Sequence, residues 1–269
     1  QTYSIANGQK VSVSTVATGE TVDIAGNTVT GLDLTVSGFG TAATNANLDL
    51  NSTAQTSLTL TSGSVTSGVN ITNTGAKLDT ITVKGDTAID ITHALTTVKT
   101  IDASATTGGV DVEGVGASDL TFTGGTGNDS VNLAGTITKD DKIDGGAGVD
   151  TLELTQAGVT IVQALSATDK ATLNTNLANL EVLKVTDGLT SDIDASRFDN
   201  INEYVLAGGL GGAAVTTTLS NVTSGVAVSI GVAAANAANV LAVAITDATL
   251  AGNNSDAVTI NLTDAAGAG

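Results

Sequence analysis

The chain contains no cysteine, proline, methionine or tryptophan, and aromatic residues make up only 2% of its 269 positions. Without cysteine there is neither a disulfide nor a thiolate metal site. Without bulky aromatics the core has to be assembled from Val, Ile, Leu and Ala. Such small and β-branched side chains suit a thin, regularly layered interior better than a large globular one. Basic residues are scarce as well, with nine Lys and Arg against 27 Asp and Glu and a net charge of −18. The nine are scattered from Lys10 to Arg197. No basic patch is left to neutralise phosphates, which excludes nucleic acid as a partner and disfavours anionic membranes. No run approaches the ~18 apolar residues of a membrane span. Gln1-Thr2-Tyr3-Ser4 carries neither a basic nor an apolar signal region, and the expectation is a mature or excised fragment of an exported protein.

What is abundant is the vocabulary of short strands and tight corners: 32 Gly, with Thr, Ser, Asn and Asp filling most remaining positions. An apolar-polar-apolar triplet returns through the first half of the chain. It is seen at Leu48-Asp49-Leu50, Leu58-Thr59-Leu60, Val69-Asn70-Ile71, Ile81-Thr82-Val83, Ile89-Asp90-Ile91, Val110-Asp111-Val112, Leu120-Thr121-Phe122, Val131-Asn132-Leu133 and Leu152-Glu153-Leu154. Ile101 and Ile143 fill the two gaps, so successive strand centres lie 8 to 12 residues apart. Alternation turns two side chains inward and one outward. Near-constant spacing and recurring outward Thr, Asn and Asp favour a parallel β-solenoid or β-roll, an all-β fold, over its rival, a β-sandwich array.

Before position 48 the triplets are less regular, which suggests an atypical starting cap. After position 155 the rhythm breaks. Ser166 and Asp169 form a capping signal, and Leu173, Leu177 and Leu180 follow at i, i+4 and i+7, predicting one short covering helix near 167–179. Strands resume at 180–185, 204–206, 226–230, 240–245 and 258–262, and 233–240 reads as helix or coil. Residues 1–155 are accordingly a solenoid segment, and 156–269 a continuing β-rich segment with the helix.

Two segments carry candidate chemistry. Gly124-Gly125-Thr126-Gly127-Asn128-Asp129-Ser130-Val131 and Gly145-Gly146-Ala147-Gly148-Val149-Asp150-Thr151-Leu152 both fit the pattern G-G-x-G-x-D-x-U-x. The glycines permit a tight turn whose carbonyls point inward, the Asp adds a hard anionic oxygen, and the next apolar residue starts a buried strand. Calcium takes six to eight such oxygens in flexible geometry, and stacked turns supply them. A plain turn has no need of Asp at the same offset twice. Asp141 and Asp144, just before the second turn, are supplementary candidates, and the intervening 139–144 reads as one degenerate coil between two good ones.

These paired motifs resemble the calcium-binding nonapeptides of repeats-in-toxin β-rolls, and their setting is similar to the surface-layer (S-layer) proteins of Gram-negative bacteria. The resemblance includes the phrase from Leu120 to Val131, that from Ile143 to Leu152, Asn-Leu-Glu-Val-Leu-Lys-Val at 179–185, and the Ile-Asp-Ala-Ser phrases around Asp102 and Asp194. It covers about 95–210 specifically and the flanks by composition and rhythm. It implies a secreted protein that folds outside the cell on meeting Ca2+ and tiles with identical copies on the cell surface, with a cell-surface polysaccharide as a further candidate partner. Carried over, Ca2+ ligation falls on the side chains of Asp129 and Asp150 and on backbone oxygens near Gly124, Thr126, Asn128, Gly145, Ala147 and Val149. The chain departs from the toxins in having only two copies, so a local calcium clamp is expected in place of an extended array.

An enzyme is not expected. Solenoid lyases use Arg or Lys with carboxylates and exposed aromatics, whereas this chain has one Arg, one His and two Tyr. His93 reads as a lone surface residue, Asp102 and Asp194 as turn residues in preference to further calcium ligands, and Arg197 as the partner of Asp194 or Asp199. An ice-binding face would need Thr at one position in every coil, and here that position alternates among Asp, Thr and Asn. A calcium-stiffened stalk of a secreted adhesin stays as the alternative function.

Overall fold

The computed structural model describes residues 2–4, 6, 8–25, 29–41, 43–72, 77–93, 96–114, 116, 119–212, 215–232, 239–246 and 257–264. The fold is an all-parallel β-solenoid of about ten turns. Successive strands alternate between two facing sheets. The longer sheet has twelve strands: β1 (Thr2–Ser4), β3 (Thr21–Ala25), β5 (Ala46–Asn51), β7 (Ser67–Thr72), β9 (Ile89–His93), β11 (Val110–Glu113), β13 (Ser130–Ala134), β15 (Thr151–Leu154), β17 (Val182–Val185), β19 (Glu203–Leu206), β21 (Ala227–Val232) and β23 (Thr259–Asp264). Opposite it lie eight: β2 (Lys10–Val16), β4 (Gly31–Phe39), β6 (Ser57–Ser62), β8 (Thr80–Gly85), β10 (Thr100–Thr106), β12 (Thr121–Thr123), β14 (Lys142–Asp144) and β16 (Leu177–Ala178). A separate sheet of β18 (Ile193–Asp194), β20 (Thr216–Val222) and β22 (Val240–Ile245) follows.

The triplets explain this arrangement. Each contributes two inward side chains, and one contiguous apolar cluster runs between the sheets, with Leu34, Leu48, Leu60, Ile71, Val83, Ile91 and Ile101 fully buried. In-register stacking places like on like: Leu32 beside Leu58, Leu58 beside Ile81, Ile101 beside Phe122. The outward residues form ladders too, as Asn70 Nδ2 donates to Asn47 Oδ1 at 2.8 Å one coil away. The first strands do not form a cap apart. They join the same two sheets, β2 with β4 and β3 with β5.

The longer sheet continues without interruption across position 155, while the eight-stranded sheet ends just beyond a helical insertion. Two helices are present among the described residues where one was expected. The predicted one, α2 (Ala167–Asn176), starts as its capping signal requires: Ser166 Oγ accepts from Asp169 N at 3.1 Å. It ends earlier, at 176, because Leu177 enters β16 and Asn179 adopts a left-handed backbone with φ of 51°. The unforeseen helix, α1 (Gln156–Ala164), contains Gly158 and four β-branched residues, Val159 to Val162, so propensity argued against it. Burial of Val159 and Val162 against the coil outweighs that propensity, and Gly158 is needed because a side chain there would collide with the Ala134 carbonyl.

His93 is a correction. It ends β9 with its side chain inward and is 1% exposed. Alternation along Ile89, Ile91 and His93 places it on the buried face, which the neighbouring polar residues obscured in the sequence. The 233–240 segment, read as helix or coil, lies outside the described residues as far as 238, and Val240 opens β22.

A candidate cation site at the stacked glycine corners

The two nonapeptides occupy the same corner in directly adjacent coils. Thr121 pairs with Lys142 and Ser130 with Thr151, so the corner 124–129 lies under the corner 145–150. The expectation of a degenerate coil between them is therefore wrong. Residues 139–144 are the far side of the same coil, because one coil needs two strands and hence two triplets.

The motif glycines are explained first by close approach of coil to coil. A side chain at Gly125 would strike the Thr106 carbonyl, one at Gly127 the Gly108 carbonyl carbon at 2.6 Å, and one at Gly146 the Gly125 carbonyl. Gly146 and Gly148 additionally have φ of 91° and 142°, which side chains rarely adopt. The ladder between corners is completed by Ala147 N to Gly125 O at 2.9 Å, Thr126 N to Thr106 O at 3.1 Å and Val149 N to Asn128 Oδ1 at 3.0 Å.

The motif aspartates lie inside the corners, both 98% or more buried. Each accepts the N–H of a residue one coil earlier: Val110 N donates to Asp129 Oδ1 at 2.7 Å, and Asp129 N to Asp150 Oδ1 at 2.7 Å. Sequence reasoning missed that the series has a third member. Asp150 N donates to Glu181 Oε2 at 2.9 Å. Glu181 sits at the equivalent corner of the next coil, since Val182 pairs with Thr151. The separation of 31 residues, stretched by α1 and α2, hides this equivalence. The only sequence signal was the Asn-Leu-Glu phrase preceding the β17 strand.

The second oxygens of the two aspartates differ. Asp129 Oδ2 accepts from Gly125 N at 2.8 Å. Asp150 Oδ2 is buried without a hydrogen-bond partner, because the corresponding Gly146 N donates to Asp144 Oδ1 at 3.1 Å. Asp144 also accepts from Asn179 Nδ2 at 2.7 Å, which ties it to the corner. Asp141 does not join it. It caps the opposite corner, with Leu120 N and Thr138 N each 2.7 Å from its carboxylate. Thr126, Asn128, Ala147 and Val149 lie on the exposed outer curve, while Gly124 and Gly145 are buried at its base.

Burial raises the affinity of Asp129 and Asp150 for protons. Desolvation pushes Asp129 up, opposed by the N–H groups of Gly125 and Val110. Asp150 is pushed up to about 6, by burial first and then by the charges of Asp129, Glu181 and Asp144, with the Asp129 N–H acting the other way. A group of carboxylates in this state gains from any hard cation placed among them. Among the described residues no three His, Asp or Glu side chains converge closely enough to hold a metal by themselves. A cation here would need backbone carbonyls, and the Gly145 and Asn179 carbonyls face the bases of the first and second corner respectively. The donor set is therefore all oxygen, which fits Ca2+ and excludes softer metals.

The other sequence candidates are placed elsewhere. Asp102 Oδ1 accepts from Ser104 N at 3.1 Å and Asp194 Oδ1 from Ser196 N at 3.0 Å, both making local turns. Arg197 Nε lies 3.8 Å from Asp194 Oδ2. No helix among the described residues is long and apolar enough to cross a membrane. Compared with protein-family models, with curated proteins and with solved structures, the chain matches none.

Proposed function

We propose that this chain is a structural segment of a secreted bacterial surface layer, in which Ca2+ clamps stacked glycine corners and the stiffened solenoid assembles with identical copies into a two-dimensional lattice. No catalysis is assigned to it. The observation that carries the reading is the row of carboxylates at a single corner, one per coil, the buried Asp129 and Asp150 and the half-buried Glu181, with one Asp150 oxygen unpartnered. When bound, the ion would supply the positive charge that this corner lacks. Asp129, Asp144 and Asp150 would hold it with backbone oxygens of the Gly124–Asn128 and Gly145–Val149 turns, and Glu181 would fix the Asp150 backbone beneath them.

The high negative charge supports the same reading, since lattice contacts between copies carrying −18 each would repel without divalent ions. A calcium-hardened adhesin stalk uses the same rod in isolation. Calcium added to the purified chain, followed by circular dichroism and electron microscopy, separates these outcomes. Gain of thermal stability with the appearance of ordered sheets is expected. Stabilised monomers would favour the stalk, and an identical melt and association state after chelation would remove the calcium reading altogether.

A further inference from the structure

One column of the core breaks the rule of like on like. Leu152 lies beside Leu183, Leu183 beside Tyr204 and Tyr204 beside Val228, so a phenol occupies a position that the neighbouring coils fill with Leu or Val. Tyr204 is 1% exposed, and its hydroxyl makes no hydrogen bond to any described residue. A buried tyrosine ordinarily finds a partner for that group. Nor is the hydroxyl sealed in, as the unpartnered Thr217 Oγ1 is, so its free side is the cavity that Tyr204 lines.

That cavity measures about 920 Å³ and lies at the corner between the three-stranded and twelve-stranded sheets. It forms because the corner at residues 195–202, with a single 3-10 turn at Ala195–Arg197, is followed in the next coil by a much shorter one at 223–226. Its size falls in the roughly 300–1,000 Å³ range of sites for small molecules. Phe198 and Val226, both buried, form an apolar floor beside Tyr204. The rim is polar and uncommitted: Asn200, Asn202, Thr223 and Thr246 are exposed and make no side-chain hydrogen bond to another described residue.

The lining also decides the class of ligand. Its only charged residue is Asp199, and neighbouring Arg197 is drawn off to the Leu165 carbonyl at 2.8 Å, so nothing there receives an anion. Backbone rungs at this corner are already used, Asn202 N to Glu181 O at 2.9 Å and Ala227 N to Asn202 O at 2.9 Å, which leaves no ladder for a peptide strand to join. Amides and hydroxyls that both donate and accept, set around an apolar floor, match a ring with hydroxyls on its edge and C–H groups on its face. We infer that this cavity is a binding site for a neutral sugar ring, held by the Tyr204 hydroxyl and the side chains of Asn200, Asn202 and Thr223 over Phe198 and Val226. The site needs no calcium and is independent of the lattice reading.

Saturation-transfer NMR of the full chain tests this, with D-glucose, D-mannose and D-galactose, their linear trisaccharides, and D-galacturonate as the anionic control. Transfer to at least one neutral sugar and none to galacturonate is expected; transfer confined to trisaccharides would identify a glycan segment, and transfer to the monosaccharide as well a free sugar. Thr223→Trp fills the mouth from an exposed position and should abolish the signal. Tyr204→Phe should weaken binding about 2- to 10-fold, yet melt no lower than the unaltered chain without sugar, because the hydroxyl has no partner to lose. A melting temperature several degrees lower would show that the hydroxyl is structural and overturn the assignment. So would the absence of transfer to every neutral sugar, uptake of galacturonate, or both variants binding like the unaltered chain; the calcium clamp would stand in each case.

Discussion

Asp90 and Asp111 show what parallel stacking does to single residues. They are directly in register on β9 and β11, with Asn45, Thr92 and Glu113 around them, on the outer face of the twelve-stranded sheet. Burial pushes both carboxyls from 3.8 to about 6, aided at Asp111 by the charges of Asp90, Glu153 and Glu113 and opposed by Lys184. At Asp90 the Asn45 hydrogen bond opposes the shift and Glu113 adds to it. A carboxyl whose folded pKa lies above its unfolded value stabilises the fold below about 4, and that contribution disappears as pH rises through about 6. The calcium-free chain is therefore expected to lose stability between pH 4 and 6. Asp90→Asn with Asp111→Asn should flatten part of that slope and stabilise the fold at pH 7 by about 1–3 kcal/mol, less than the sum of the single changes because the two groups titrate as a pair. Urea midpoints at pH 4.5 and 7 measure this, and a double variant with an unchanged slope would refute it. Like Asp102 and Asp194, whose local turns were legible as Asp two before Ser, these residues were visible as outward positions. Their burial was not, because it depends on the Asn45 loop packed against them from another coil.

At the level of elements, the corner sets the distance between coils. Gly127→Ala would place a methyl 2.6 Å from the Gly108 carbonyl carbon, and neither backbone has room to move while the ladders on both sides persist. The expected cost is about 2–4 kcal/mol, with faster hydrogen exchange confined to β11, β13 and their corner. Exchange unaltered there would mean that the corner is looser than its contacts. The strands themselves were readable from the triplets because period two is a local property. The helices show the limit of that reading. α2 declared itself by Ser166 and Asp169, whereas α1, with Gly158, Thr160 and Ile161, is helical only because the inserted chain must cover Val159 and Val162 as it returns to β16.

For the whole molecule, the same register that layers the core also layers charge. Twenty-seven acids against nine bases, many of them at repeating outward or corner positions, give a fold that repels itself. Without calcium, raising NaCl from about 20 mM to about 500 mM shortens the screening length from roughly 20 Å to roughly 4 Å and should raise the melting temperature by several degrees. With calcium bound the salt effect should shrink. A melt that ignores salt in both states would show that carboxylate repulsion is not a main cost of this fold.

The amino-acid order alone determined that the chain is a stack of short strands, since alternation and an 8 to 12 residue step are properties of neighbouring residues. It also singled out Asp129 and Asp150, because a repeated offset from glycine is visible without coordinates, and Asp144 by its place just before the second turn. Only the tertiary structure decided that two strands make one coil, that the motif corners touch, that His93 faces inward and that Glu181 completes the corner row. Those facts depend on which residues meet across roughly twenty to thirty positions of chain, and register between coils is fixed by packing and corner length, which no local pattern encodes.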